Sequence, residues 1–291
     1  MSEQQHILIT GTSNGFGRLA AGALARKGHK VFASMRGTTT RNAKARKELE
    51  ALAEADGLDL HVVDLDVTDE QSVDQAVRQA TKDGGHIDVL VNNAGVVSYG
   101  PMEAFTPEQT QRIFETNLFG ALRVTRAVLP HMRWHGSGLL IHVSSGAGRV
   151  VVPAMGIYCA SKFALEAAAE IYRYELAPFG IDSIIVEPGV YPTNINVANG
   201  FAEDVKRNEA YGPLAQQSQQ MPKQFLESTQ DPNEVVDAIV RLVGMAPGTR
   251  PLRTCVGAET SNLGPLNELA GKTQAGLLEM FGMADLAKLT A

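Results

Sequence analysis

Residues 7–17 read Ile7-Leu8-Ile9-Thr10-Gly11-Thr12-Ser13-Asn14-Gly15-Phe16-Gly17, and this stretch decides the fold. Its apolar start does not alternate with polar residues, which is the mark of a strand covered on both faces. The glycines that follow let the chain turn sharply and let a ligand approach the bare main chain. A helix starting near Gly15 would aim its positive dipole end at the same point, as a pyrophosphate requires. The spacing, Gly-x3-Gly-x-Gly, differs from the usual dinucleotide fingerprint, and a glycine triplet alone is a weak signal. Its place after the first strand of a βαβ unit gives it weight.

Outward from this loop, strand-like runs recur at Lys30–Ser34, Asp59–Asp64, Val89–Asn92, Leu139–Ser144, Ser183–Glu187 and Thr254–Gly257, with helical stretches between them. The alternation predicts an α/β fold: a Rossmann-like doubly wound parallel sheet of about seven strands, with helices on both faces, in one domain over residues 1–291. Three helix starts are marked by capping patterns: Thr68 with Gln71, Thr106 with Pro107 and Gln109 ahead of a long helix towards Leu129, and Asp231 with Pro232 and Glu234. Residues 190–230 break the rhythm with Pro192, Gly200, Pro213, Pro222 and the cluster Gln216, Gln217, Gln219 and Gln220. They read as a long irregular substrate loop. Residues 258–291 form a C-terminal extension with Leu, Met and Phe at loosely helical spacing, expected to pack on the domain or on a neighbour.

The 291 residues, 44% hydrophobic and 20% charged, suit a soluble globular chain. A net charge of −6 argues against a nucleic-acid partner. Cys159 and Cys255 make no disulfide framework, so a cytoplasmic location is expected. The first strand starts within a few residues of the N-terminus, which leaves no room for a signal peptide, and no apolar run is long enough to span a bilayer. No His, Cys and carboxylate cluster has metal-ligand spacing.

The second strand ends Ala33-Ser34-Met35-Arg36, without the carboxylate that would bind a ribose 2′-hydroxyl. Arg36 suits a 2′-phosphate, so NADP(H) is expected to be preferred, with NAD(H) possible. Asp66, followed by Val67, stands where an adenine edge would lie, or else serves as a turn residue. Asn93, Ala94 and Gly95 end the fourth strand with small or amide side chains that let the backbone approach the cofactor. Tyr158 and Lys162, four apart, share one helical face. A phenol with a pKa near ~10 is a poor base at neutral pH. An adjacent ammonium and an oxidised nicotinamide would both pull that pKa down. Ser145, at the carboxyl end of the fifth strand, is placed to hydrogen-bond a substrate oxygen, and Ser144 competes for that role. Asn117 is a buried amide in need of partners. His142 reads as a packed strand residue, and Val96, Val97, Tyr99, Met155 and Tyr191 as an apolar pocket lining.

The ordered set from the Thr10–Gly17 loop through Asp66, Asn92–Gly95, Asn117, Ser145, Tyr158, Lys162 and Pro188-Gly189 to Thr193 resembles the short-chain dehydrogenase/reductase family, over roughly residues 5 to 257. The resemblance implies a catalytic tetrad of Asn117, Ser145, Tyr158 and Lys162, and chooses Ser145 over Ser144. In that scheme Tyr158 is the acid/base, Ser145 orients substrate, Lys162 also grips the nicotinamide ribose and Asn117 sustains a proton relay. Pro188, Gly189, Val190 and Thr193 would line the nicotinamide site. The cofactor cradle would comprise Gly11, Thr12, Ser13, Asn14, Gly15, Phe16 and Gly17. It also implies a homodimer or homotetramer. The function expected is hydride exchange between the nicotinamide and a hydrophobic ketone, aldehyde or secondary alcohol. The rivals are a non-catalytic NADP(H) sensor and an epimerase or dehydratase that retains its cofactor.

Overall fold

The structure, a computed structural model, describes residues 4–82, 85–196 and 200–289. Seven parallel strands form one sheet: β1 (His6–Thr10), β2 (Lys30–Met35), β3 (Leu60–Asp64), β4 (Val89–Asn92), β5 (Gly138–Val143), β6 (Ile181–Pro188) and β7 (Arg253–Val256), in the order β3-β2-β1-β4-β5-β6-β7. The strand order reverses between β1 and β4, which opens a crevice at the carboxyl edge. The pleat sorts side chains between two cores. Ile7 and Ile9 join Ala20, Leu24 and Ile239 on one face. Leu8 joins Val73, Val124 and Val128 on the other. The first face is covered by α1 (Gly15–Arg26), α2 (Ala43–Asp56) and α9 (Asn233–Gly244). The second is covered by α3 (Glu70–Ala80), α5 (Gly120–His135) and α6 (Gly156–Glu175). With both faces covered, the central strands β1 and β4 run apolar over successive residues and are readable from sequence, whereas the edge strands β3 and β7 carry polar residues and are less buried.

The helix that follows Thr106 is a composite. Thr106 accepts from the Gln109 N–H while Gln109 Oε1 accepts from the Thr106 N–H, completing the capping box that opens α4 (Pro107–Phe114). A π-helical segment, Glu115–Phe119, then joins α4 to α5 and carries Asn117.

Three expectations are corrected. The cap of α3 is Asp69, whose carboxylate accepts from Gln71 and Ser72 N–H. Thr68 does not cap because its N–H and hydroxyl both bond Asp66 Oδ1. At α9, Asp231 accepts from the Asn233 N–H, but the Glu234 carboxylate accepts from the Tyr191 hydroxyl, so no capping box closes. The 190–230 stretch is mostly helical, with α7 (Val205–Ala210) and α8 (Pro213–Leu226). Pro213 occupies the first helical position of α8, where a missing N–H costs nothing. Residues 197–199 of that stretch lie outside the described residues, as do 1–3, 83–84 and 290–291 of the expected domain. Gly200 pins the stretch to the exit of β4: its carbonyl accepts from the Tyr99 N–H at 2.7 Å, and an added Cβ would strike Val97 O at 1.9 Å. The C-terminal extension forms α10 (Gly264–Met280), which exposes Leu269 and Met280. Among the described residues no helix is long and apolar enough to cross a membrane.

Candidate active site

The crevice at the carboxyl edge opens into a cavity of about 410 Å³. Its wall includes Gly11, Ser13, Asn14, Gly15 and Phe16 from the first loop, and Arg36, Asp66 and Val67 from the ends of β2 and β3. Asn93, Ala94, Gly95, Ser145, Tyr158 and Lys162 follow, then Pro188, Gly189, Val190 and Thr193. Thr12 and Gly17 lie behind that wall. Thr12 is buried and donates its hydroxyl to Ser34 O. Gly17 makes room for packing, since a Cβ there would meet Asn93 Nδ2 at 2.4 Å and Gly11 O at 2.7 Å. Gly11 has φ +73° and sits so close to Ala94 that a Cβ would meet its Cα at 2.8 Å. The Asn14 side chain makes no capping bond to α1. The first-turn N–H groups of α1 are therefore not taken by a side-chain cap, which fits a pyrophosphate placed against this loop.

Beyond β2 and β3, Asp64 accepts from the N–H groups of Gly37 and Thr38 and from the Thr38 hydroxyl, fixing the loop after β2. Arg36 Nη1 stands 3.6 Å from Asp66 Oδ2. Burial opposes ionisation of Asp66, but the Thr68 N–H, the Thr68 hydroxyl and the Arg36 guanidinium together hold its carboxyl below the usual range. Asp66 is thus both a turn residue and a member of the cavity wall.

At the reactive end, Tyr158 enters in the first turn of α6, and Lys162 lies one turn on, on the same face. Both are buried. Burial pushes the Tyr158 phenol up to about 12, while the Ser145 hydroxyl beside it pulls the other way. The Lys162 ammonium lies 5.9 Å from the centroid of the Tyr158 ring, and the drop expected from sequence calls for the oxidised nicotinamide as well as this ammonium. Burial brings Lys162 down to about 8, opposed by the negative charge of Glu166. Lys162 Nζ donates to Val143 O at 2.9 Å. Ser145 Oγ accepts from the Ala147 N–H, which fixes its hydroxyl in the loop after β5.

Asn117 does not line the cavity. Its Oδ1 accepts from the Val96 N–H and its Nδ2 donates to Val96 O and Ser161 Oγ, all within 2.8–2.9 Å. It pins the segment after Gly95 to α6, and a Cβ on Gly95 would meet both Asn117 Oδ1 and Lys162 Nζ. Burial drops His142 to about 4, and its ring stacks on Tyr172, a packing role.

Of the expected pocket lining, Val96, Val97, Met155 and Tyr191 face the cavity, whereas Tyr99 is packed behind it against Phe201 and Phe225. Sequence reasoning missed Arg41, Val150, Ile195, Phe225 and Thr260 of this wall. Arg41 was within reach of inspection, five residues after Arg36. Phe225 and Thr260 arrive from α8 and from the turn after β7, and no local pattern marks them.

A family model described as short chain dehydrogenase matches residues 5–203. An uncharacterized oxidoreductase of Bacillus subtilis, YusZ, is 38% identical over 243 residues, covering 81% of this chain and 83% of its own. A 3-ketodihydrosphingosine reductase of Bacteroides thetaiotaomicron is 34% identical over 255 residues, 88% of either chain. The crystal structure of a short-chain dehydrogenase from Streptomyces avermitilis superposes with a TM-score of 0.78 at 32% identity, covering 96% of this chain and 98% of that one.

Proposed function

Because the chain belongs to the short-chain dehydrogenase/reductase family and is an NAD(P)-dependent oxidoreductase, we propose that it prefers NADP(H) and interconverts a hydrophobic ketone or aldehyde with its alcohol, using Tyr158 as the proton donor and acceptor. The residues lining the cavity, Lys162 and Thr193 among them, would hold a nicotinamide whose chemistry is to give or take hydride. The residues do the rest. Ser145 donates a hydrogen bond to the substrate oxygen, and the Tyr158 hydroxyl delivers the proton to that oxygen as charge develops on it. Lys162 lends positive charge to the phenolate left behind, and Asn117 holds the β4 exit against α6 so that these groups keep their spacing.

The observation that carries this reading is the convergence of Ser145, Tyr158 and Lys162 on the cavity that the glycine loop also lines. Apolar side chains of Val97, Val150, Val152, Met155 and Phe225 supply the rest of the substrate end, which favours an apolar carbonyl compound. The Bacteroides relative is named for a ketone substrate, in keeping with this class. A homo-oligomer is part of the same reading: Phe119, Phe163 and Ile171, on the π segment and α6, are exposed apolar groups suited to a second copy. The experiment is a panel of ketones and aldehydes followed by loss of NADPH absorbance, with NADH in parallel. Reduction of apolar carbonyls with NADPH supports the proposal. Cofactor binding without turnover would instead favour a sensor.

A further inference from the structure

Tyr158, Lys162, Glu166 and Glu170 stand at four-residue intervals along α6 and so form one line down its inner face. The first two belong to the reactive end of the cavity; the third has no part in the mechanism above. Glu166 is 2% exposed. Its Oε2 accepts from Arg253 Nε at 2.9 Å, and the same guanidinium reaches Glu170 at 2.6 Å and Glu187 at 3.4 Å. Glu166 Oε1 and the Ser144 hydroxyl oxygen are both buried with no formed hydrogen bond. They are packed together against Gly148, whose added Cβ would meet Ser144 Oγ at 2.7 Å and Glu166 Cγ at 3.0 Å. A buried carboxyl with one oxygen clamped by an arginine and the other open beside a hydroxyl is placed to hold or release a proton without disturbing the clamp.

Resting on the reading of Tyr158 and Lys162 given above, we infer that Glu166 is a positioning residue for the reaction: clamped by Arg253, its carboxylate is the buried counter-charge that keeps Lys162 a cation beside Tyr158. The charged and titratable groups around the pair are few. Lys162 faces Tyr158 and Glu166 on its own helix and His142 on β5. Glu166 faces Glu170 on α6, Ser144 after β5, Glu187 on β6 and Arg253 on β7. Glu187 in turn is held by Cys255 on β7 and by Asn267 on α10, which also takes the Arg149 guanidinium. The C-terminal extension thereby helps fix the cluster. Burial first, and Glu187 second, push the Glu166 carboxyl up to about 7 against the pull of Arg253, and its negative charge raises the proton affinity of Lys162. Removing that charge lets the ammonium lose its proton at lower pH, so carbonyl reduction fades sooner as pH rises.

The test is the pH profile of kcat for ketone reduction at saturating NADPH, from pH 6 to 10, in the full-length wild type and three variants. Glu166→Gln is expected to move the alkaline limb down by about one pH unit. Glu166→Asp, which keeps the charge, is expected to restore most of it, and Ser144→Ala, which removes a neighbour favouring the ionised carboxyl, to move the limb the same way by less. NADPH binding and thermal melting report whether each variant is folded. A Gln profile that coincides with the wild type overturns the proposal, as does an Asp profile moved as far as Gln. If the Gln variant does not fold, Ser144→Ala decides, and an unmoved limb overturns the proposal. A wild type that turns over no carbonyl at all removes the enzyme reading and this role together, whereas turnover with superimposed limbs removes this role alone.

Discussion

Arg36 and Asp66 face each other at 3.6 Å on the cavity wall beyond β2 and β3, so the cation proposed for a 2′-phosphate already has a carboxylate partner. The pair is partly exposed and worth little on its own. A phosphate dianion would offer Arg36 a stronger, bidentate partner than Asp66, whose carboxylate is also held by the Thr68 N–H and hydroxyl. Replacing Arg36 with Ala is expected to weaken NADPH by about 10- to 100-fold and to leave NADH nearly unchanged, as titrations of dissociation constants will read. Equal affinities of the wild type for the two dinucleotides would remove the proposed preference.

Tyr158→Phe removes one oxygen from the reactive end and leaves the ring in place. The rate of carbonyl reduction is expected to fall by roughly 10²- to 10⁴-fold or more, while NADPH binding, measured by fluorescence titration, changes little. Parallel losses of rate and of NADPH affinity would mean that the phenol is a wall of the cofactor site and not its acid.

Gly11→Ala tests the cradle. At φ +73° an alanine is strained, and its Cβ meets the Ala94 backbone at 2.8 Å, which cannot yield without moving the β4 exit. Dinucleotide affinity is expected to fall at least about tenfold for NADPH and NADH alike, because one contact worth about 1.4 kcal/mol is enough for that. Selective loss for one of the two would place the effect at the ribose phosphate instead.

The strands were legible because their causes are local, and so was the pairing of Tyr158 with Lys162 on one face of α6. Ile7–Ile9 is apolar throughout because both faces of β1 are covered, and Tyr158 with Lys162 show a helical interval anywhere they are read. What stayed hidden depends on distant partners. Nothing near Glu166 tells that Arg253, 87 residues on, will bury it. The 190–230 stretch looked irregular because its prolines were read as breakers, yet Pro213 starts α8 and Pro222 lies inside it. Thr68 had the right neighbours for a cap and lost the role to Asp69 because Asp66 claimed its hydroxyl first.

Thr106→Ala should act on stability and spare chemistry. It removes one half of the capping box that starts the helix leading to Asn117. The expected cost is ~1 kcal/mol, read as a melting temperature lower by roughly 2–4 °C for a chain of this size. Turnover per folded molecule is expected to hold, since the Asn117 amide is anchored by Val96 and Ser161 and not by the helix start.

His142 and Glu166 work against each other as pH falls. The His142 ring is brought down to about 4 by burial. The folded state therefore binds fewer protons than the unfolded one, and the stability His142 contributes is present above pH ~6.5 and lost as pH falls towards 4. Glu166 is raised to about 7. Its contribution has the opposite sense: present in full below pH ~4.5 and lost as pH rises through 7. Between pH 7.5 and 5 the two offset each other, which flattens the pH dependence of the wild type. His142→Leu removes one side of that balance. Relative to wild type, the variant is expected to gain about 2 kcal/mol of unfolding free energy on going from pH 7.5 to pH 5, whatever the packing cost common to both pH values. Urea unfolding at the two pH values measures this double difference directly. A value near zero would mean that the ring takes up its proton as readily inside the fold as outside it, despite its burial and the charge of Lys162.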